Sequence, residues 1–108
     1  IEILASRLTN ITGNELEIPS DYKLMQNYPN PFNPSTTISY HIPEGGRVKL
    51  EVFDLLGRKV VTLIDRDEAS GSYNITFDSA KLNMNCGVYF YRLTSGNYSQ
   101  TKKMILVK

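Results

Sequence analysis

The chain has 108 residues and a mass of 12.2 kDa, with 12 Lys and Arg against 11 Asp and Glu, one His, one Cys and no Trp. That length is one domain with at most a short appendage, and a hydrophobic fraction of 41% with 10% aromatics excludes wholesale disorder. A single cysteine excludes an intrachain disulfide framework and any multi-cysteine zinc site, and a net charge of +1 excludes strong unspecific attraction to nucleic acid or anionic membranes.

In chain order, Ile1–Thr12 opens with a strand-like stretch, Ile1-Glu2-Ile3-Leu4, and Gly13–Asp21 reads as a polar linker. The first residue is Ile, not Met, which points to a fragment or a processed piece; the start does not resemble a signal peptide, and no run is long and apolar enough to span a bilayer. Next comes Tyr28-Pro29-Asn30-Pro31-Phe32-Asn33-Pro34, with three of the five prolines in seven residues. Proline fixes φ, removes an amide donor and biases its predecessor to extended geometry. This segment is therefore expected as a stiff extended lead-in, with Tyr28 and Phe32 packed on the edge of the fold and Asn side chains satisfying stray backbone groups.

From there the dominant period is two. Arg47–Asp54 alternates cleanly, with Val48, Leu50 and Val52 on one face and Arg47, Lys49 and Glu51 on the other, the pattern of a strand with one buried and one wet face. Thr36–Ile42, Lys59–Asp65, Ser72–Asp78, Val88–Thr94 and Lys102–Val107 are rich in β-branched and aromatic residues and read as further strands. The separators are turn chemistry: Pro43–Gly46, Leu56–Arg58, Ala69–Gly71, Asn83–Gly87 and Ser95–Asn97. No window shows a convincing amphipathic helix, and there is no internal repeat. The expected fold is all-β: an antiparallel, immunoglobulin-like β-sandwich of about seven strands. It occupies residues 22–108, with 1–21 as an N-terminal strand and linker.

The residue types that carry chemistry are sparse. His41 stands alone between Tyr40 and Ile42 on a strand, with no neighbouring cluster of His, Cys or carboxylates. Cys86 sits in a turn beside Gly87, without a second thiol. Asp65, Asp67 and Glu68 cluster around Arg66 without the regular oxygen spacing of a calcium loop, so they read as a solvated turn. In Tyr89-Phe90-Tyr91 the alternation sends Phe90 to one face and both tyrosines to the other, which fits core plus covering layer better than a sugar platform. Asn10, Asn74 and Asn97 head N-glycosylation-type tripeptides too short to prove use. No active site, metal site or cofactor loop is expected.

Charge is distributed unevenly along the chain. Residues 1–54 hold 4 basic and 7 acidic side chains, net −3, and residues 55–108 hold 8 and 4, net +4. The last eleven residues carry Lys102, Lys103 and Lys108 with no acid. A basic end is either a solvated one or one that an acidic partner reads.

Tyr28–Thr37 (YPNPFNPSTT), Leu56–Val60 (LGRKV), Gly87–Leu93 (GVYFYRL) and Lys102–Lys108 (KKMILVK) follow one another at domain spacing. Together they resemble the type A C-terminal sorting domain of the type IX secretion system, the Por secretion tail of Bacteroidetes and related phyla. The first three also resemble the immunoglobulin-like module of flagellar hook-capping proteins, but the lysine-rich last strand is that of a sorting domain. Cys86 departs from the family pattern, which more often has a small residue such as Ser there. The resemblance implies a non-enzymatic address label behind a cargo domain. Such a label passes through the periplasm, is recognised by the outer-membrane translocon and is removed by a cell-surface sortase. The destination is the cell surface or the medium. By motif position the recognition elements would be Gly87, Tyr89, Lys102, Lys103 and Lys108, with the processing point near Gly13–Asp21.

Two other readings come from the residues alone. An extended Ile1–Leu8 strand, through Ile1, Ile3, Leu4 and Leu8, could add to a sheet edge of the next subunit and build a filament or surface array; its plainer counterpart is the last strand of a preceding domain. An accessory carbohydrate-binding sandwich would use exposed tyrosines.

Overall fold

Apolar residues on alternating positions can be covered only by a second layer, and the computed structural model, which describes residues 19–108, supplies it as a second sheet. The strands are β1 (Lys23–Leu24), β2 (Ser35–Ile42), β3 (Gly46–Phe53), β4 (Lys59–Glu68), β5 (Gly71–Asp78), β6 (Gly87–Ser95) and β7 (Tyr98–Leu106). One sheet runs β1-β2-β5 and the other β4-β3-β6-β7, and every strand pair is antiparallel. This is the expected all-β sandwich of seven strands among the described residues. The Ile1–Leu8 strand expected from the sequence lies outside them.

The two inner faces supply the core. Ile38, Tyr40 and Ile42 of β2 face Val48, Leu50 and Val52 of β3 and Tyr91 and Leu93 of β6, all fully buried. Each fully buried Leu, Ile or Val contributes roughly 1.5–3 kcal/mol of transfer free energy. Phe32 and Phe77 close one end in an edge-on pair with ring centroids 6.1 Å apart.

Four expectations need correction. The acids Asp65, Asp67 and Glu68 lie on β4, not in a turn, because the ladder with β3 continues through Gly46↔Glu68 and Arg47↔Asp67. Glu68 is buried there, accepting a bond from Tyr40 Oη at 2.5 Å and pairing with Arg66 Nε at 3.1 Å. Glu51, expected on a wet face, does point outward but is covered by Lys59 and Arg92, each 3.6 Å from its carboxylate. The last strand starts at Tyr98, four residues before Lys102, because Ser95 and Tyr98 already pair across the Gly96-Asn97 turn. Finally, Phe32 is buried as expected but Tyr28 is 81% exposed.

The proline-rich lead-in is held by side-chain bonds and by two isolated backbone bridges, Tyr28 to Thr37 and Phe32 to the end of β7, not by a continuous ladder. Tyr91 Oη, inside the sandwich, donates to Met25 O at 2.7 Å and accepts from Asn27 N at 2.8 Å. The Asn27 amide then donates to Thr36 Oγ1 at 3.0 Å and Pro29 O at 3.2 Å. Further along, Phe32 N donates to Ile105 O and Val107 N to Phe32 O, both at 2.9 Å, so the lead-in lies parallel to the end of β7.

Tyr91→Phe leaves Asn27 N and Met25 O without their partner, and denaturant unfolding should show a loss of about 1–3 kcal/mol. Burial pushes the Tyr91 hydroxyl from its usual 10.0 up to about 12. The unfolded chain releases that proton first, so this contribution is complete below pH 10 and lost as pH rises through 12. The wild-type unfolding midpoint should therefore fall steeply over that interval, and Tyr91→Phe should flatten the fall.

Candidate functional site

The five residues expected to be recognised lie on β6, on β7 and just beyond it. Gly87 opens β6 opposite Leu106, at φ 150 with open space where a Cβ would stand, so backbone conformation and not crowding favours glycine there. Tyr89 faces Met104 across the pair and is half-buried, its hydroxyl donating to Asn85 O at 2.7 Å. That bond ties the turn before β6 to the strand. Lys108 is exposed beyond the end of β7.

The lysines do not form one patch. Lys102 pairs with Tyr91 and Lys103 with Phe90. Because side chains alternate along a strand, the two leave β7 on opposite faces. Lys103 joins the outer face of the four-stranded sheet, where the register places Lys59, Phe53, Phe90 and Lys103 in one row. Arg92 stands in the neighbouring row with its guanidinium carbon 4.5 Å from the Phe53 ring centroid, a cation–π contact, while also pairing with Glu51.

The backbone of β7 is already engaged. Lys103 O accepts from Gln26 Nε2 at 2.7 Å and Ile105 N donates to Asn30 Oδ1 at 3.0 Å; Ile105 O and Val107 N bond to Phe32. The outward groups from Lys103 O to Val107 N are thus used by the lead-in. An added strand finds nothing to pair with along that stretch. Asn30 satisfies a backbone donor, as expected of the asparagines in this segment.

The β3–β4 turn, expected at Leu56–Arg58, carries an Asp54 network and two exposed leucines that the expectation did not include. Asp54 Oδ1 accepts from Leu56 N and Arg58 N, both at 2.9 Å, and Oδ2 from Arg58 Nε at 2.8 Å. The Arg58 amide is the main reason the Asp54 carboxyl titrates below its usual value. Gly57, at φ 84, closes the turn by donating to Asp54 O at 3.0 Å. Leu55 and Leu56 are left 68% and 76% exposed. Two large apolar residues inside an obvious turn were the available signal.

The remaining chemical candidates are dispersed. His41 Nδ1 lies 2.7 Å from Ser72 Oγ on the outer face of the smaller sheet, and Cys86 is an exposed free thiol. Most tyrosines are engaged: Tyr40 stacks on Tyr73 and Tyr22 on Tyr98, with centroids 5.3 and 4.9 Å apart. Among the described residues no helix is long and apolar enough to cross a membrane.

Comparison with curated proteins gives no match. Among solved structures the chain is similar to the crystal structure of dimeric latent PorU from Porphyromonas gingivalis, at 23% identity and a TM-score of 0.61 over 82% of this chain. It spans 10% of that chain, so the likeness is one of fold. The family model for the secretion system C-terminal sorting domain matches residues 26–108, from the start of the lead-in to the last lysine. The four motifs, the sandwich and this match agree: the chain belongs to the secretion system C-terminal sorting domain family, the non-catalytic type IX signals for export through the outer membrane to the cell surface or the medium.

Proposed function

We propose that the type IX translocon and the cell-surface sortase recognise this domain through side chains displayed at its C-terminal end, with Gly87, Tyr89, Lys102, Lys103 and Lys108 as the recognition elements. The observation that carries the reading is the occupied edge of β7. Its outward backbone groups from Lys103 O to Val107 N are bonded to Gln26, Asn30 and Phe32, which favours charge and shape as the readable features there. Residues 22–108 are the sorting unit, supported by Tyr22 stacking on Tyr98, and residues 1–21 connect it to a cargo domain. The domain itself does no catalysis; it is an address that others read.

Deleting Lys102–Lys108 is a poor test, because it removes the core residues Met104 and Leu106 with the lysines. Charge reversal is cleaner. A reporter fused ahead of the chain in a type IX-competent bacterium should lose roughly tenfold or more of its surface display with Lys103→Glu and Lys108→Glu together, the equivalent of ~1.4 kcal/mol of binding. Lys→Arg at both positions should preserve it. Undiminished display of the Glu pair would overturn recognition through these side chains.

Self-association by strand addition, with Ile1, Ile3, Leu4 and Leu8 on the donated strand, is a second reading. One observation favours it. β5 pairs with β2 in straight register along all eight residues, its other edge is unpaired among the described residues, and it carries no proline or lysine to blunt that edge. Light scattering should then show the full chain growing in mass with concentration while residues 22–108 stay monomeric. A full chain that remains monomeric throughout would remove this reading. For carbohydrate binding no comparable observation exists: of the seven tyrosines only Tyr28 is exposed and unengaged, and the others are stacked, buried or bonded rather than aligned.

A further inference from the structure

We propose that the β3–β4 turn, with the aromatic row beside it, is a second docking surface of this domain, occupied by a protein partner that presents an apolar side chain among carboxylates. Large apolar residues scattered singly on a surface need no explanation, but these are contiguous. Leu55 borders a cleft of about 230 Å³ whose other walls are Phe53, Asp54, Gly57, Phe90, Arg92 and Thr101, the Asp54 carboxylate there being taken up by Leu56 N, Arg58 N and the Arg58 side chain. Leu56 stands next to it, the more exposed of the two.

The turn is also built to hold them out. Asp54 takes three donors with its carboxylate, and its own backbone bonds Gly57 N and Arg58 O. None of those bonds is made by a leucine side chain; their effect is to fix the backbone from which the leucines project. A rigid loop that presents apolar anchors has little conformational freedom left to lose on binding, which is the condition for an energetic hot spot.

Charge selects the occupant. Lys59 and Lys103 end the aromatic row, Arg92 lies in the next row and Arg58 in the adjoining turn; Asp54 and Glu51 are the acids paired with them, which leaves a local excess of two positive charges. Arg58 is held by Asp54, while Lys59 and Arg92 share the single carboxylate of Glu51 at 3.6 Å. An apolar anchor flanked by acidic residues complements this arrangement in both shape and sign. A protein is favoured over an anionic bilayer because the apolar part is a concave cleft beside a two-residue turn, too small to insert as an amphipathic face would.

The inference rests on the sorting reading, and the partner belongs to the export apparatus. In the full chain behind a reporter, Leu55→Ser with Leu56→Ser should reduce surface display roughly tenfold, the loss of one hot spot. The thermal midpoint of the purified chain should not move, because both side chains are exposed. Leu55→Met with Leu56→Met should retain display. If the serine pair reaches the surface within about twofold of wild type, the docking surface is wrong while sorting stands. A wild-type fusion that is never displayed overturns the sorting reading and this surface with it. Binding of the wild-type chain to phosphatidylglycerol vesicles, abolished by the serine pair, would overturn the protein occupant in favour of lipid.

Discussion

The hydroxyl of Tyr91 is the point on which the rest of the architecture depends. It is fully buried on β6, and both its donor and its acceptor capacity are spent on the backbone of the lead-in, at Met25 O and Asn27 N. A buried hydroxyl without partners would be costly, so the bonds fix the lead-in as firmly as they satisfy the tyrosine. Once Met25–Asn27 is fixed, the Asn27 side chain can reach Pro29 and Thr36, and the chain is aimed so that Phe32 enters the core beside Phe77. The sandwich is thereby closed along β7 and left open along β4 and β5. The two open edges are defended differently. β4 ends in alternating charges and carries register shifts, whereas β5 is straight and neutral until Asp78.

Two carboxylates follow a second rule. Glu51 and Glu68 are buried although the sequence places them among charged, apparently wet neighbours, and each is rescued by cations that are themselves exposed. Long basic side chains lie over the acid and keep their own charges in water. Such a pair is weak evidence of net stabilisation, but removing one partner leaves an uncompensated buried charge and costs several kcal/mol. The Glu68 pair extends inward through Tyr40, whose hydroxyl is shifted upward by burial and by its bond to Glu68. These contacts sit at the end of β4 and the middle of β3, where strand charges would otherwise loosen the sheet.

How much of this was legible depended on the range of the interaction. The alternation in Arg47–Asp54 located β3 because a period of two is a local property, and the turn residues bounded most strands for the same reason. The acids at Asp65–Glu68 misled because local chemistry favours a turn there, while the strand is imposed from across the ladder by Gly46–Val48. Phe32 was readable as an anchor; Tyr28 was not readable as exposed, since both are aromatic residues among prolines and only the path set by Tyr91 separates them. At the proposed recognition surface, chain order gave the lysines, but the division of Lys102 and Lys103 between two faces required knowing that the strand stays regular through both. Leu56 was hidden in plain view as the first residue of the separator Leu56–Arg58, and Leu55 fell between that separator and the strand before it.

The pairing of the lead-in with the end of β7 also changes what kind of object the address is. The first motif, Tyr28–Thr37, and the last, Lys102–Lys108, are far apart in sequence, yet Phe32 bonds both Ile105 and Val107, and Asn30 bonds Ile105. They are two halves of one structure. A severed tail would present the same lysines with its edge groups unpaired, and so would be open to any extended chain that met it. The folded domain suppresses that unspecific pairing and fixes Lys103 beside Phe90 at the same time. In the proposed recognition, closing the backbone serves specificity as much as displaying the side chains does, and it is the sandwich that joins the first motif to the last.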